Sequence, residues 1–174
     1  DVGIAMGGRG TDVAREAADL VVVDDDFTSI AEGIRQGRGI FANLRKALTY
    51  IISVHVPIYG IALIPVFVAD WPLVLLPIEV VLLELIIDPA CTIVFEAEPV
   101  SDSVMEEPPR PVDAPMFGWR EFVVALAQGV VLLAMVLAVY LGSMAAGMAD
   151  ASVRSMTFVT LVVGNVALIL ANRS

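Results

Sequence analysis

Cysteine, histidine and positive charge are all scarce in this sequence of 174 residues, which has one cysteine and one histidine. The single cysteine, Cys91, excludes an internal disulfide framework and a metal cluster built from several cysteines. Ten Lys and Arg residues against twenty Asp and Glu give a formal net charge of −10. Nucleic-acid-binding surfaces need a basic patch, so we expect no nucleic acid among the partners.

Charged residues of either sign make up only 17% of the sequence, whereas 58% of the residues are hydrophobic. An average soluble domain is about 25% charged and about 45–50% apolar. This composition excludes a wholly soluble globular protein and also a disordered chain. The chain begins at Asp1 and lacks the basic segment and cleavage site of a signal peptide. We therefore expect a piece of a longer protein.

The hydrophobic residues are concentrated in four stretches that follow residue 43. Each stretch has about the 20 residues that a helix needs to cross about 30 Å of hydrocarbon. Backbone groups cannot stay unpaired in lipid, and these runs are too long and unbroken for barrel strands. We predict four transmembrane helices, at Leu44–Val68, Leu73–Phe95, Trp119–Leu141 and Val153–Ala171.

Basic residues lie on one side of these stretches. They are Arg35, Arg38, Arg45 and Lys46 before the first stretch, and Arg110 and Arg120 between the second and third. The turn at 69–72 contains no Lys or Arg. By the positive-inside rule, the N-terminal part, the 96–118 loop and the C-terminus face the cytoplasm. We expect a multi-pass protein of the lipid bilayer, in a bacterial plasma membrane.

Residues 1–27 have the pattern of an α/β layer. Val2–Met6 is an apolar run followed by glycines, which is typical of a strand and a turn. Thr11 is a candidate N-cap for a short helix through Ala18, and the apolar run Leu20–Val23 is typical of a buried parallel strand. Such a unit suits the edge of a doubly wound sheet. Because so few residues bury too little surface to fold alone, we expect the rest of the domain upstream.

A stalk helix is expected next, at residues 28–43, with Thr28 as its cap. No turn cluster separates it from the first hydrophobic stretch, although a break at Gly37 or Gly39 is an alternative. The predicted fold is therefore a mainly α membrane protein. It has a four-helix transmembrane bundle, preceded by a partial α/β edge and a stalk helix.

Ionisable side chains inside the hydrophobic stretches are the strongest functional signal. Such groups cost about 2.5–3.5 kcal/mol each in a membrane helix, yet the second stretch contains Glu79, Glu84 and Asp88, and the first contains His55. Glu84 and Asp88 are spaced i, i+4 and share a helix face. His55 and Glu84 each lie about 16 Å from the cytoplasmic end of their helix at about 1.5 Å per residue. We predict a cation or proton site formed by His55, Glu84 and Asp88.

Alternatives to this site remain open. Glu84 and Asp88 can be protonated groups that hydrogen-bond between helices, and a lone His55 can be a packing residue. Glu79 lies near the outer end of its helix, so a structural and a functional role are equally consistent with the sequence. The Asp24–Asp26 run is expected to be a solvated turn rather than a metal site.

Prolines inside the predicted helices favour the cation site. A proline leaves the carbonyl four residues earlier without its helical hydrogen bond. Three of these prolines are Pro57, Pro65 and Pro89, and the carbonyls they release are those of Ser53, Ile61 and Leu85. Hard cations prefer carboxylate and carbonyl oxygens, and broken helices line the ion sites of transporters.

The later stretches contain uncharged polar side chains instead. In a membrane, such groups commonly hydrogen-bond across helices. We expect this role for Gln128, Thr157, Thr160 and Asn165.

Three parts of the sequence resemble type II P-type ATPases, which are cation pumps. Asp1–Gly7, Gly10–Asp19 and Asp24–Phe27 are similar to the end of their phosphorylation domain, which has a haloacid-dehalogenase-like fold. Gly37–Lys46 resembles the stalk that leads into their fifth transmembrane helix. Leu83–Pro89 is similar to the ion-binding stretch of their sixth helix.

The resemblance implies that the four hydrophobic stretches are transmembrane helices five to eight. It implies that the cation-coordinating positions of the family fall on His55, Glu84 and Asp88. The sequence departs from calcium pumps of the reticulum type at Ile58 and Ile87, where those pumps have oxygen ligands. This departure argues against two calcium ions and leaves open one calcium ion, another divalent ion, a monovalent cation or protons.

The resemblance also implies an ATP-driven pump with ATP and Mg²⁺ bound upstream of this chain, where an aspartate is phosphorylated. No catalytic residue then lies in this stretch. The implied partners are the phosphorylation, nucleotide and actuator domains and the other transmembrane helices. Two alternatives are a proton- or ion-coupled channel or secondary transporter, and a non-catalytic membrane scaffold.

Overall fold

The computed structural model describes residues 2–68, 71–111 and 115–173, and it describes Asp88 and Thr92 by their backbone alone. The chain divides into two compact units. The first unit consists of Asp1–Ala42 and Pro99–Pro109, and the second of Asn43–Glu98 and Arg110–Ser174.

The first unit contains a two-stranded parallel sheet. Strand β1 (Ile4–Met6) pairs with β2 (Leu20–Val22), and helix α1 (Asp12–Ala17) connects them. The hydroxyl of Thr11 accepts a hydrogen bond of 3.2 Å from the N–H of Ala14 and caps α1. The predicted strand, capped helix and strand are confirmed.

The predicted burial of the second strand is wrong for most of its residues. Val22 is buried, but Leu20 is 46% exposed and Val23, just after the strand, is 84% exposed. Parallel sheets are normally covered on both faces. Within the described part of the first unit, β2 pairs with β1 alone, so much of its apolar surface stays uncovered.

The Asp24–Asp26 turn uses its carboxylates for local hydrogen bonds. Asp25 has a φ of 56°, and its carboxylate accepts hydrogen bonds from the backbone N–H groups of Gly8 and Arg9 at 2.9 and 3.0 Å. A hydrogen bond from the Ser29 hydroxyl helps to hold the pKa of Asp24 below its usual value. Asp24 and Asp26 are exposed, so the predicted solvated turn is confirmed, and Asp25 ties it to the turn after β1.

The first long helix, α2, runs from Phe27 to Phe67. It is unbroken at both Gly37 and Gly39, so the alternative of a break there is wrong. The prediction that Thr28 caps the helix is also wrong. The Asp26 carboxylate accepts a hydrogen bond of 2.9 Å from the N–H of Thr28, so Asp26 caps the first turn.

The segment 99–109 of the first unit contacts the N-terminal part of α2. It contains the short 3₁₀ helix Asp102–Met105. The guanidinium of Arg38 donates hydrogen bonds of 2.8 and 2.7 Å to the carbonyls of Val104 and Glu107. Val100 lies against Gly39, where any side chain would clash with it.

The second unit consists of the remainder of α2 and three further helices: α3 (Pro77–Glu96), α4 (Trp119–Ala145) and α5 (Asp150–Asn172). Helix α2 covers the predicted stalk together with the first stretch, and each other long helix coincides with one predicted stretch, with ends shifted by about one turn or less. Helix α3 begins later than expected because Pro77 occupies its first turn. N–H groups of the first turn have no acceptor within the helix, so a proline there costs no hydrogen bond.

Three helices of the described chain are long and apolar enough to cross a membrane, namely α2, α4 and α5. Helix α3 has 20 residues, but any stretch of about 18 residues, the usual minimum for a span, includes Glu79, Glu84 and Asp88. The predicted mainly helical membrane fold is confirmed. The second predicted span, α3, is not one of the three because of its carboxylates, so its crossing of the membrane stays a prediction.

The second unit has one hydrophobic core to which all four helices contribute. Tyr140 of α4 is fully buried, and its hydroxyl donates a hydrogen bond of 2.8 Å to the carbonyl of Pro72. Its ring also contacts Trp71 edge-on at 5.6 Å. Other fully buried members are Tyr50, Ile61, Leu83, Val136 and Leu161.

Helices α2 and α4 approach each other closely at Gly129. A Cβ atom at this position would lie 2.6 Å from the carbonyl oxygen of Ser53 and 2.7 Å from Cβ of Val56. Both neighbours belong to rigid parts of α2, so neither can move aside cheaply. Gly142, in the same helix, has no such neighbour within 4 Å.

We expect Gly129→Ala to destabilise the protein, because it forces α2 and α4 apart at a cost of about 1–3 kcal/mol. Gly142→Ala is the matched control and should be neutral or stabilising by up to about 1 kcal/mol, since alanine favours a helix. Thermal unfolding of the purified full-length protein in detergent measures both. Equal midpoints for the two variants would show that the close contact does not exist.

Candidate cation site

Helices α2 and α3 run antiparallel within the second unit. Two contacts join the helices, Tyr50 with Phe95 and His55 with Glu84, and Lys46 pairs with Glu98 just after the end of α3. The numbers rise along α2 as they fall along α3, so the predicted antiparallel arrangement is confirmed. The ion pair of Lys46 and Glu98 has an Nζ–Oε1 distance of 2.9 Å, and the Glu98 side chain is almost fully buried.

The structure brings His55 and Glu84 together between these helices. Nε2 of His55 lies 3.9 Å from Oε1 of Glu84. Nδ1 of the same ring lies 2.7 Å from the carbonyl oxygen of Ile51, one turn earlier in α2. Both side chains are partly buried, and the ring of Tyr59 lies 5.5 Å from the imidazole.

The hydrogen bond to Ile51 fixes the roles of the two imidazole nitrogens. A carbonyl oxygen can only accept, so Nδ1 carries the proton. In the neutral ring, Nε2 then has a free lone pair on the side of Glu84. The arrangement therefore provides one nitrogen donor and one carboxylate within reach of each other.

Asp88, the third predicted site residue, lies one helical turn after Glu84 in α3. Its backbone position puts it on the same face of the helix as Glu84, but its side chain lies outside the described residues. Among the side chains that are described, no group of three His, Cys, Asp or Glu residues could hold a metal ion. Membership of Asp88 in the site stays a prediction.

Glu79 has a structural contact at the start of α3. Its Oε2 accepts a hydrogen bond of 2.7 Å from the backbone N–H of Leu76. Together with Pro77 in the first turn, this is the arrangement of a helix N-terminus. A proline followed two residues later by glutamate was the sequence signal for it.

Two described side chains near the His55–Glu84 pair in sequence supply no oxygen atom. Ile58 and Ile87 are both buried in the hydrophobic core. The carbonyl of Ser53, released by Pro57, lies against Gly129 of α4. The two isoleucines therefore supply no oxygen ligand, and the Ser53 carbonyl is directed at α4.

A polar network joins α2, α4 and α5. Oε1 of Gln128 accepts hydrogen bonds of 3.1 Å from the Ser53 hydroxyl and from Nδ2 of Asn172. The predicted interhelical role of Gln128 is confirmed, whereas that of Thr157 and Thr160 is wrong. Both threonine hydroxyls donate to carbonyls of their own helix, four residues earlier.

Asn165 of α5 is also not the interhelical bridge that was predicted. It is only 4% exposed, yet neither Oδ1 nor Nδ2 has a hydrogen-bond partner within the described part of the chain. It lines a cavity of about 30 Å³. The other walls are apolar side chains of α3 and α5 together with Tyr50 of α2.

Ion pairs at the cytoplasmic end of the predicted spans were missed by the sequence analysis. Besides Lys46, Asn43 contacts the segment that follows α3, donating a hydrogen bond of 3.0 Å to the carbonyl of Glu98. Arg45 pairs with Glu121 in the first turn of α4. These partners lie 52 to 76 residues apart in the chain, so no local pattern reveals them.

Residues 72–174 match the family model described as "Cation transporting ATPase, C-terminus". The whole chain is 33% identical to "Calcium-transporting ATPase 1" of Yarrowia lipolytica and to the protein of that name in Schizosaccharomyces pombe, covering 19% of each. It is 37% identical to "Calcium-transporting ATPase" of Bacillus subtilis over 69% of this chain and 14% of that protein. The chain thus spans about a fifth of the length of these fungal relatives.

We expect Asn165→Leu to stabilise the protein, because a buried amide without partners costs about 1–3 kcal/mol. Gln128→Leu, the corresponding change in α4, should destabilise it modestly, because it removes the acceptor that joins Ser53 of α2 to Asn172 of α5 while both donors keep a hydrogen bond within their own helices. Thermal unfolding of the full-length protein measures both. A lower midpoint for Asn165→Leu would contradict the first expectation and show that the amide is hydrogen-bonded.

Proposed function

The chain belongs to the family of cation-transporting ATPases, of which it is the C-terminal transmembrane part, and on this premise we propose that the whole protein is an ATP-driven cation pump. The observation that carries the proposal is the His55–Glu84 pair. Its two polar side chains come from neighbouring helices, and Nε2 of His55 lies 3.9 Å from Oε1 of Glu84. Ionisable groups are costly there, at about 2.5–3.5 kcal/mol each on insertion scales, and usually mark an ion pathway.

We propose that this chain contributes His55, Glu84 and Asp88 to the transported-ion site. Two carboxylates on one face of α3 attract a cation, and the imidazole of α2 adds a neutral donor. The register between α2 and α3 supports this assignment, because Lys46 and Glu98 hold the two helices together closer to the cytoplasmic end. Glu79 is assigned to the start of α3 and not to the ion site.

The reaction with ATP is assigned to parts of the protein that precede this chain. We propose that an aspartate there is phosphorylated with ATP and Mg²⁺, and that the resulting movement opens the ion site to one side of the membrane at a time. The phosphorylation, nucleotide and actuator domains and the remaining transmembrane helices are the partners. No residue of this chain is assigned to catalysis.

The proposed topology follows the basic residues. Residues before α2, the 96–118 loop and the C-terminus are assigned to the cytoplasm. Arg45 and Lys46 pair with carboxylates of other segments near this boundary, which supports the assignment. A bacterial plasma membrane stays a prediction, since the relatives come from fungi as well as bacteria.

We expect Glu84→Gln and Asp88→Asn in the full-length protein to raise the cation concentration needed for phosphorylation by ATP. A rise of about 10–100-fold is reasonable, as for the loss of groups that support a metal site. Formation of the phosphorylated enzyme from labelled ATP, as a function of free cation, measures the effect. Glu79→Gln is the matched control within α3 and should keep the wild-type cation dependence.

A channel, a secondary transporter or a scaffold would give a different result. None of these forms a phosphorylated intermediate from ATP. Absence of cation-stimulated phosphorylation in the wild-type protein would therefore overturn the proposal, and so would unchanged cation dependence in both carboxylate variants.

A further inference from the structure

We propose that Tyr59 is a positioning residue of the ion site, and that its ring keeps the imidazole of His55 beside Glu84. This inference rests on the proposed function, because it specifies how one ligand of the same site is oriented. It depends on three contacts of the imidazole: with the carbonyl of Ile51, with the ring of Tyr59 and with the carboxylate of Glu84.

Ile51, His55 and Tyr59 follow one another on one face of α2. Residues four positions apart are neighbours on a helix surface, so Ile51 lies one turn before His55 and Tyr59 one turn after it. Long side chains in a helix lean towards its N-terminus. The ring of Tyr59 therefore leans back over the turn that carries the imidazole.

The hydrogen bond to Ile51 fixes only one edge of the imidazole. In an α-helix the carbonyl of Ile51 is also the acceptor for the backbone N–H of His55, so one oxygen serves two donors. Pro57 lies between His55 and Tyr59 and removes a backbone hydrogen bond from this part of α2. A side-chain contact across the turn therefore adds a restraint that the backbone does not supply.

The contact between Tyr59 and His55 has the geometry of an aromatic pair. The ring centroids are 5.5 Å apart and the ring planes are inclined by 47°, within the usual range for such pairs. Tyr59 is 60% exposed within the described part of the chain, whereas Tyr50 and Tyr140 are fully buried. The ring of Tyr59 is thus not a core-filling group of the described helices, and its contact is with the imidazole.

The consequence is a preorganised ligand. With Nδ1 bonded to Ile51 and the ring of Tyr59 on the other side, Nε2 stays 3.9 Å from Oε1 of Glu84. A side chain that already has its bound orientation loses less conformational entropy when its ligand arrives. Tyr59 therefore increases the affinity for the cation without touching it.

The test uses Tyr59→Leu and Tyr59→Phe in the full-length protein and measures phosphorylation by labelled ATP against free cation. Ca²⁺, Mn²⁺ and Na⁺ are tried on the wild type, and the one that acts at the lowest concentration is the probe. Tyr59→Leu should raise the half-maximal concentration about two- to tenfold, the equivalent of one aromatic pair. Tyr59→Phe keeps the ring and should restore the wild-type value.

A loss of folded protein would lower the maximal level of phosphorylation and leave the half-maximal concentration unchanged. Leu63→Ala, one turn beyond Tyr59 on the same face of α2, is the matched control for trimming this face and should keep the wild-type value. These two readouts separate positioning from a general effect on stability.

A double variant tests whether Tyr59 acts through His55. In the His55→Asn background there is no imidazole to orient, so adding Tyr59→Leu should produce no further rise. His55→Gln takes its place if His55→Asn lowers the thermal unfolding midpoint.

The outcomes separate this inference from the proposed function. An unchanged half-maximal concentration in Tyr59→Leu, an equal rise in Tyr59→Phe, or a full effect of Tyr59→Leu without the imidazole would each overturn the positioning role. The pump would remain supported in all three cases, because the wild type still responds to the cation. If no cation stimulates phosphorylation of the wild type, the proposed function itself fails.

Discussion

The antiparallel pairing of α2 with α3 is the constraint on which the candidate site depends. Hydrocarbon offers no partner to an imidazole or a carboxylate, so each needs the other helix or a bound ion. The ion pair of Lys46 with the buried Glu98 contributes to the register of the two helices, at the end of α3. A shift of one residue would turn a helix face by about 100° and separate His55 from Glu84.

Helix α4 fixes the other side of α2. Gly129 allows the backbone of α4 to approach Ser53, and the side-chain oxygen of Gln128 accepts a hydrogen bond from the hydroxyl of the same serine. A small residue beside a polar one is a common way for membrane helices to associate, because hydrophobic burial does not favour helix contact inside lipid. This contact also removes a released carbonyl from the set of available ligands.

The candidate site combines charged groups with a hydrophobic wall. In the proposed site, the imidazole of His55 and the carboxylate of Glu84 are the candidate ligands, and the side chains of Ile58 and Ile87 are hydrocarbon. The number and the type of donor atoms decide which cations such a site binds.

Local patterns were sufficient to predict the long helices and the helix cap at Thr11, because hydrophobicity and N-terminal hydrogen bonding act over a few residues. They also predicted that His55 and Glu84 lie side by side, since a short connection makes consecutive helices antiparallel neighbours. They did not predict the role of Asn165, or that the carbonyl of Ser53 faces α4. Only the tertiary structure decided the surroundings of Asn165 and of the Ser53 carbonyl. Both depend on which faces of helices distant in sequence pack together, and the sequence of one helix does not specify which other helix its face will contact.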